Sequence, residues 1–169
     1  SKKDGQDIFR VDADGHVRVV SKENKAFGDK AVYHVDQAVF VLVGDSLRLD
    51  TNRAKITARD SLEYWETRQL AVARGGAIAV SGESRIKADI LTAHINEAGQ
   101  GEIKQIDAFG NVVVSTRNVI ARGAEGVYNP ASSIATLCGG VKITRGGDQL
   151  NGECAEVNLK SGKSRLIGG

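Results

Sequence analysis

Three histidines (His16, His34, His94) and two cysteines (Cys138, Cys154) are the side chains of this 169-residue chain best suited to ligate a metal, move a proton or do redox chemistry. Such chemistry needs several groups brought together at short spacing. The histidines stand far apart, and no H-E-x-x-H, C-x-x-C or G-x-S-x-G pattern occurs. Asp and Glu scatter along solvent-facing parities. Gly75-Gly76, Gly139-Gly140 and Gly146-Gly147 would cradle a phosphate only where a helix follows. None precedes a helical pattern, so they read as turns. The sequence therefore reads as non-enzymatic, with no cofactor and no metal. Cys138 and Cys154 flank Gly146-Gly147, and a hairpin closed there sets them face to face. A cross-strand disulfide fits that geometry. The blander alternative is two buried thiols acting as small apolar groups.

Composition narrows the setting. A hydrophobic fraction of 41% and a charged fraction of 26% fit a soluble globular domain of ordinary size. With 20 Gly, 1 Pro and only 5% aromatics, the expected elements are strands joined by tight turns around Val, Ile, Leu and Ala. A net charge of +2 without a Lys/Arg block argues against a nucleic-acid partner. No apolar run is long enough for a membrane-spanning helix. The start at Ser1 and the absence of Met read as a processed or trimmed chain.

The elements come from a repeat. Ile8, Gly15 and Tyr33 recur at one common offset as Ile103, Gly110 and Tyr128. Gly76, Ile78, Val80 and His94 recur at another as Gly110, Val112, Val114 and Tyr128. Residues 140–150 echo 110–120, and 47–56 echo 17–26 more weakly. A unit of roughly 30 residues signals stacked pieces that bury their apolar faces only together. Period-two alternation in successive segments makes the fold class antiparallel all-β. Residues 1–7 read as a flexible tail and 8–167 as a single domain. Turns are expected at Asp14-Gly15, Gly44-Asp45, Gly75-Gly76, Phe109-Gly110, Asn129-Pro130, Gly146-Gly147 and 161–163, with a corner at 50–52 and a break at 99–101. Residues 31–43 form one long run. Segments 61–69 and 86–95 could pass for helix, but the repeat makes them strands, with Leu62 in the column of Val127. His94 shares a column with Tyr33 and Tyr128, which suits packing or a rim position.

Two stripes follow. The pairs Val17/Val19, Leu47/Leu49, Ile78/Val80, Val112/Val114 and Val141/Ile143 come after the turn glycines, and residues two apart share a sheet face. Ile56, Ile86, Ile120 and Leu150 make a second stripe, expected to form the opposing wall. The residues alone leave two readings open: a closed sandwich core, which is the commoner outcome, or an open apolar groove.

Longer stretches carry a resemblance. Asp107-Ala-Phe-Gly-Asn-Val-Val-Val, Ala121-Arg-Gly-Ala-Glu-Gly-Val-Tyr-Asn, Gly140-Val-Lys-Ile-Thr-Arg-Gly and Leu150-Asn-Gly-Glu-Cys-Ala-Glu-Val-Asn-Leu are similar to the OstA-like family of lipopolysaccharide-transport proteins. The likeness is strongest to the LptA type, in an alphaproteobacterial form. Leu62-Glu-Tyr-Trp extends it, while charged residues 22–25 depart from the family's short turn. The resemblance implies a twisted antiparallel β jelly roll open at its ends. It implies a periplasmic carrier that holds the lipid A part of lipopolysaccharide between two sheets and passes it from inner to outer membrane. The two stripes would then be the groove. Ile8, Val11 and Val17 would mark one assembly edge, and Val157 and Leu159 the other. Partners would be LptC-like and LptD-like OstA domains and further copies joined head to tail. The physics is consistent: each methylene left in water costs about 0.8 kcal/mol, and unpaired strands invite β-augmentation. The alternative is a structural, protein-binding β module with a closed core and no lipid. A carbohydrate-active repeat would need aromatic platforms that Trp65 and few other rings do not supply.

Overall fold

The computed structural model describes residues 10–13, 16–21, 24–51, 53–96 and 102–168. Its elements are β1 (Arg10–Ala13), β2 (Val17–Ser21), β3 (Asn24–Gly28), β4 (Lys30–His34), β5 (Val39–Val43), β6 (Leu47–Asp50), β7 (Lys55–Ala58) and β8 (Ser61–Trp65). Longer strands follow: β9 (Leu70–Ser81), β10 (Ser84–Asn96), β11 (Glu102–Ser115), β12 (Val119–Asn129), β13 (Ile134–Arg145), β14 (Asp148–Asn158), and finally the short β15 (Ser164–Ile167). All pairings are antiparallel, and no described residue is helical. Both segments that could pass for helix contain strand: 86–95 lies within β10, and 61–69 holds β8 followed by a turn at 66–69.

The strands form one sheet folded lengthwise. β9 is where it divides. Residues 70–74 pair with β8, which continues to β5 and β4, while 78–80 pair with β7, which continues through β6, β3 and β2 to β1. Strands β10 to β14 cross from one half to the other, and each successive pairing slips in register at the same level. The slips are β-bulges, which bend a strand and sharpen its twist. Gly75-Gly76, Gly110-Asn111 and Gly139-Gly140 sit there with positive φ throughout. Glycine is required at the first of these positions, since a Cβ on Gly75 would lie 2.6 Å from the Asp60 carboxylate. The expected turns at Gly75-Gly76 and Phe109-Gly110 are therefore creases inside continuous strands. Turns do occur at 130–133, 146–147 and 159–161. The run 31–43 is broken at 35–38, where Ala38 takes φ 53°. The tail, Ile8, and the expected features at Asp14-Gly15 and 99–101 lie outside the described residues.

Call the half carrying β1 the first leaf and the half carrying β4 the second. Directly opposed residues in adjacent strands share a face. On the first leaf, Val19, Ala26, Leu49, Ile56, Ala79, Ile86, Val114, Ala121, Ile143 and Leu150 are successive cross-strand partners. On the second leaf the corresponding line is Ala31, Leu42, Leu62, Ala73, Leu91, Ala108, Gly126, Leu137, Ala155 and Leu166. Buried members of both lines belong to one apolar cluster, so the leaves face each other. At about 4.8 Å per strand, the first leaf runs about 48 Å from β1 to β14.

Candidate functional site

The two facing aliphatic lines define a trough, and its state changes along its length. In the middle it is filled: Val112, Val114, Leu137, Val141 and Ile143 are all 1% exposed or less. Toward the β1/β4 end an apolar cavity of about 100 Å³ opens between the leaves, lined among others by Ala26, Phe40, Leu42, Leu49, Ile56, Leu62, Tyr64, Ala93 and Ile106. A second cavity of about 340 Å³ lies along the mouth, opposite the crease. There the Ser84 Oγ donates to the Leu159 carbonyl at 2.8 Å, and the Leu159 N–H donates to the Ser133 carbonyl at 2.8 Å.

Both ends are open. At one, β1 and β4 each have a neighbour on one side only among the described residues. β4 leaves Val32 and Tyr33 exposed, and Val35 in the following turn is exposed too. The Tyr33 ring meets Phe40 at 6.3 Å, and its hydroxyl donates to Glu66 at 2.6 Å, which pushes the phenol pKa up. At the other end β15 edges the second leaf, while residues 148–153 of β14 have no outer partner on the first among the described residues. Leu150 and Leu166 continue the two lines there, yet are exposed, with no further strand beside them among the described residues.

The structure redistributes the residues singled out by sequence. Val17, Val19, Leu47, Ile56, Ile86, Val112, Val114, Val141 and Ile143 are buried, and Leu49 packs beside them. Ile56, Ile86 and Leu150 do not form an opposing wall. They lie in the same line as Val19, Leu49, Val114 and Ile143, because hairpin partners sit side by side on one leaf. Ile78 and Val80 point outward, and Ala77 and Ala79 take the inner places at 0% and 6% exposure. The repeat is one residue off there: the bulge pairs Gly75 with Gly110 and Gly139, so Ala77 corresponds to Val112 and Val141. A one-residue slip exchanges the two faces. Ile120 is likewise outward and 41% exposed, with Val119 and Ala121 turned in. Leu62 is buried whereas Val127 is 44% exposed, so they share no column. Val17 lies on the second strand in, and Val157 is flanked by β13 and β15. Leu159 is in the turn after β14, so that edge lies one strand further out than expected.

The real opposing wall was missed. Leu42, Ala73, Ala108 and Leu137 stand two residues before Gly44, Gly75, Gly110 and Gly139, and are 3%, 3%, 6% and 0% exposed. Reading backward from each bulge glycine, as well as forward, finds it.

Polar side chains are few along the apolar cavity, where Asn24 and Glu63 join the lining. Cys138 and Cys154 are register partners joined by a disulfide. His94 Nε2 lies 2.8 Å from Asp107, which also accepts from Gln105 at 2.7 Å. Glu63 accepts from Arg74 at 2.6 Å, from Trp65 at 2.9 Å and from Ser61 at 3.1 Å. Burial pushes the Glu63 carboxyl up, but these bonds and the Arg74 charge outweigh it and hold it below the usual range. Among the described residues, no group of three or more His, Cys, Asp or Glu could hold a metal ion.

An all-β strip folded along a line of bulges, apolar inside and with unpaired end strands among the described residues, defines an open β jelly roll. Residues 55–163 match the family described as LptA/(LptD N-terminal domain) LPS transport protein, and the chain belongs to that family. The match starts at β7, leaving β1 to β6 beyond it. In fold the chain is similar to LptH, described as the LptA homologous periplasmic component of the conserved lipopolysaccharide transport device from Pseudomonas aeruginosa. The TM-score is 0.59 at 16% identity, over 67% of this chain and 80% of that one. No curated protein matches.

Proposed function

We propose that this protein is a non-catalytic periplasmic bridge that shelters the acyl chains of lipopolysaccharide in the trough between its leaves. It would hand them along a row of like domains from inner to outer membrane. The observation that supports this most directly is the pair of facing apolar lines, the second broken at Gly126, that run to both ends of the described sheet. Leaving a chain of about twelve carbons in water costs on the order of 10 kcal/mol. The half-thickness of a bilayer core is roughly 15 Å, so a trough of about 48 Å is long enough to lay such chains along it. The lining is Val19, Leu49, Ile56, Ile86, Val114, Ile143 and Leu150 on one side and Leu42, Leu62, Leu91 and Leu137 on the other. Free strands at the ends, β1 and β4 at one and β15 with residues 148–153 at the other, would pair with LptC-like or LptD-like domains or with further copies, head to tail.

A second reading has its own support. The filled middle, with five large residues at 1% exposure or less, fits a closed-core module that binds only protein. Hydrogen exchange with and without lipid A separates the two. Added protection along both lines supports the trough. Unchanged exchange there, with binding confined to the edge strands, would leave the closed module.

A further inference from the structure

The outer faces of the two leaves differ in how their charges are matched. On the first leaf, cross-strand pairing from β3 to β14 sets two outward rows side by side. One carries Arg48, Lys87, Arg122 and Lys142. The other, two residues further along each strand, carries Lys25, Lys55 and Arg85. These positions alternate with inward Ala26, Leu49, Ile56, Ile86, Ala121 and Ile143, so both rows face away from the trough. The one acid in these two rows is Asp50, which Arg48 holds at 3.0 Å. The other six cations are exposed, and none has an ion-pair partner among the described residues. On the second leaf the acids are matched on their own face: Glu63 by Arg74 at 2.6 Å, Asp107 by His94 at 2.8 Å and Glu156 by Arg165 at 3.0 Å. A second copy therefore offers no comparable acidic row to the cations.

Shape narrows the partner further. From Lys25 on β3 to Lys142 on β13 is seven strand steps, or about 34 Å at about 4.8 Å each. Adjacent strands rotate by at least about 10°, so the strip turns by roughly 70° or more along its length. A planar surface touches only part of such a strip, whereas a flexible linear polymer can follow all of it. The strands β3 to β13 of this leaf are paired on both sides, which leaves no backbone edge for a peptide to join. Phe27 is the one aromatic residue in the two rows, and the Arg48 guanidinium covers its ring at 4.4 Å, so no platform is left on which bases could stack.

We propose that the outer face of the first leaf is a docking strip for a linear acidic polysaccharide, held by Lys25, Lys55, Arg85, Lys87, Arg122 and Lys142. Its anionic groups would meet the successive cations along the rows while the trough on the other side of the leaf stays free. The strip is thus independent of lipid carriage and would tether the protein alongside an anionic glycan.

The test measures binding of the intact chain to polygalacturonate, with neutral dextran, phosphatidylglycerol vesicles and single-stranded DNA as comparisons, at low and physiological salt. Two variants make the same change in net charge: Lys87→Gln/Arg122→Gln/Lys142→Gln on the strip, and Lys104→Gln/Lys160→Gln/Lys163→Gln away from it. All six side chains are exposed, and circular dichroism checks that each variant is folded. The single variants Arg122→Gln and Lys142→Gln serve if the strip triple is not. Wild type should bind polygalacturonate and not dextran, more weakly as salt rises. The strip triple should lose affinity on the order of tenfold, as three exposed charge pairs allow, and the control triple should stay within about twofold. No binding of polygalacturonate at physiological salt, or equal losses in the two triples, overturns the strip. Tighter binding of the vesicles or of DNA, lost in the strip triple, would assign the face to a membrane or to nucleic acid and also overturn it.

Discussion

Ser84 and Leu159 tie the two leaves together across the mouth: the Ser84 Oγ donates a 2.8 Å hydrogen bond to the Leu159 carbonyl oxygen. Ser84 opens β10 on the first leaf, and Leu159 follows β14 on the second. The Leu159 amide is in turn anchored to Ser133, so the turn is braced from its own leaf.

Removing this tie should loosen the mouth more than the fold. Ser84→Ala is expected to lower global stability by only about 0.5–1.5 kcal/mol. Release of bound lipid should quicken by roughly twofold to tenfold if the tie closes the mouth. Stopped-flow release of a fluorescent lipid A and urea unfolding measure the two effects. An unchanged release rate would show that the mouth is held elsewhere.

The Cys138–Cys154 bridge spans 16 residues and sits beside the Gly139-Gly140 crease. Cross-links of that length stabilise by about 3 kcal/mol, chiefly through the unfolded chain. Reduction, or a Cys138→Ala/Cys154→Ala variant, should lower the unfolding free energy by about 2–4 kcal/mol while the strand content is retained. Urea denaturation with and without reductant measures it.

Register is testable at one step along β9. Ala79 faces inward at 6% exposure, and Ile78 faces the other way toward Thr57 and Lys87. Ala79→Asp buries an unpaired charge and should remove several kcal/mol from a domain whose total is about 5–15 kcal/mol. Ile78→Asp should cost about 1 kcal/mol or less. The reverse order of melting temperatures would place the repeat in the other register.

The Glu63 cluster gives an acid-limb prediction. Its carboxyl is held below the usual value in the fold, so its stabilising contribution is complete above the unfolded carboxyl pKa of about 4.3. That contribution is lost as pH falls through the lower folded value. Glu63→Gln should therefore narrow the stability difference between pH 7 and pH 3 relative to wild type, read as urea midpoints. An unaltered acid limb would remove Glu63 as a contributor.

Much of the architecture was legible in the residues. Alternation gave the strand class, and glycines at repeated spacing marked where the chain must bend. Three things were not. Gly75-Gly76 and Gly110 look the same in sequence whether they reverse a strand or crease it, because both require positive φ. Which of Ile78 and Ala79 lies inside depends on whether the bulge contributes one residue or two, and hydrophobicity favours the wrong one. Ile56 and Ile86 recur like an opposing wall, yet direct pairing with Leu49 and Val114 puts them on the same leaf. The true facing wall is built largely of Leu and Ala, so it gave no second β-branched stripe to notice.

The most direct test of the trough places a photo-crosslinking phenylalanine analogue at Phe40, Tyr64 and Leu150 on the inner faces, and at Phe109 and Ile120 on the outer. Phe40 and Tyr64 line the apolar cavity, Leu150 ends the first line, and Phe109 and Ile120 are exposed at 63% and 41%. Illumination in cells that make lipopolysaccharide should give lipid adducts at the three inner positions and none at the two outer ones. Adducts absent from Phe40, Tyr64 and Leu150 in the folded protein, or equal at Phe109, would contradict a lipid-carrying trough.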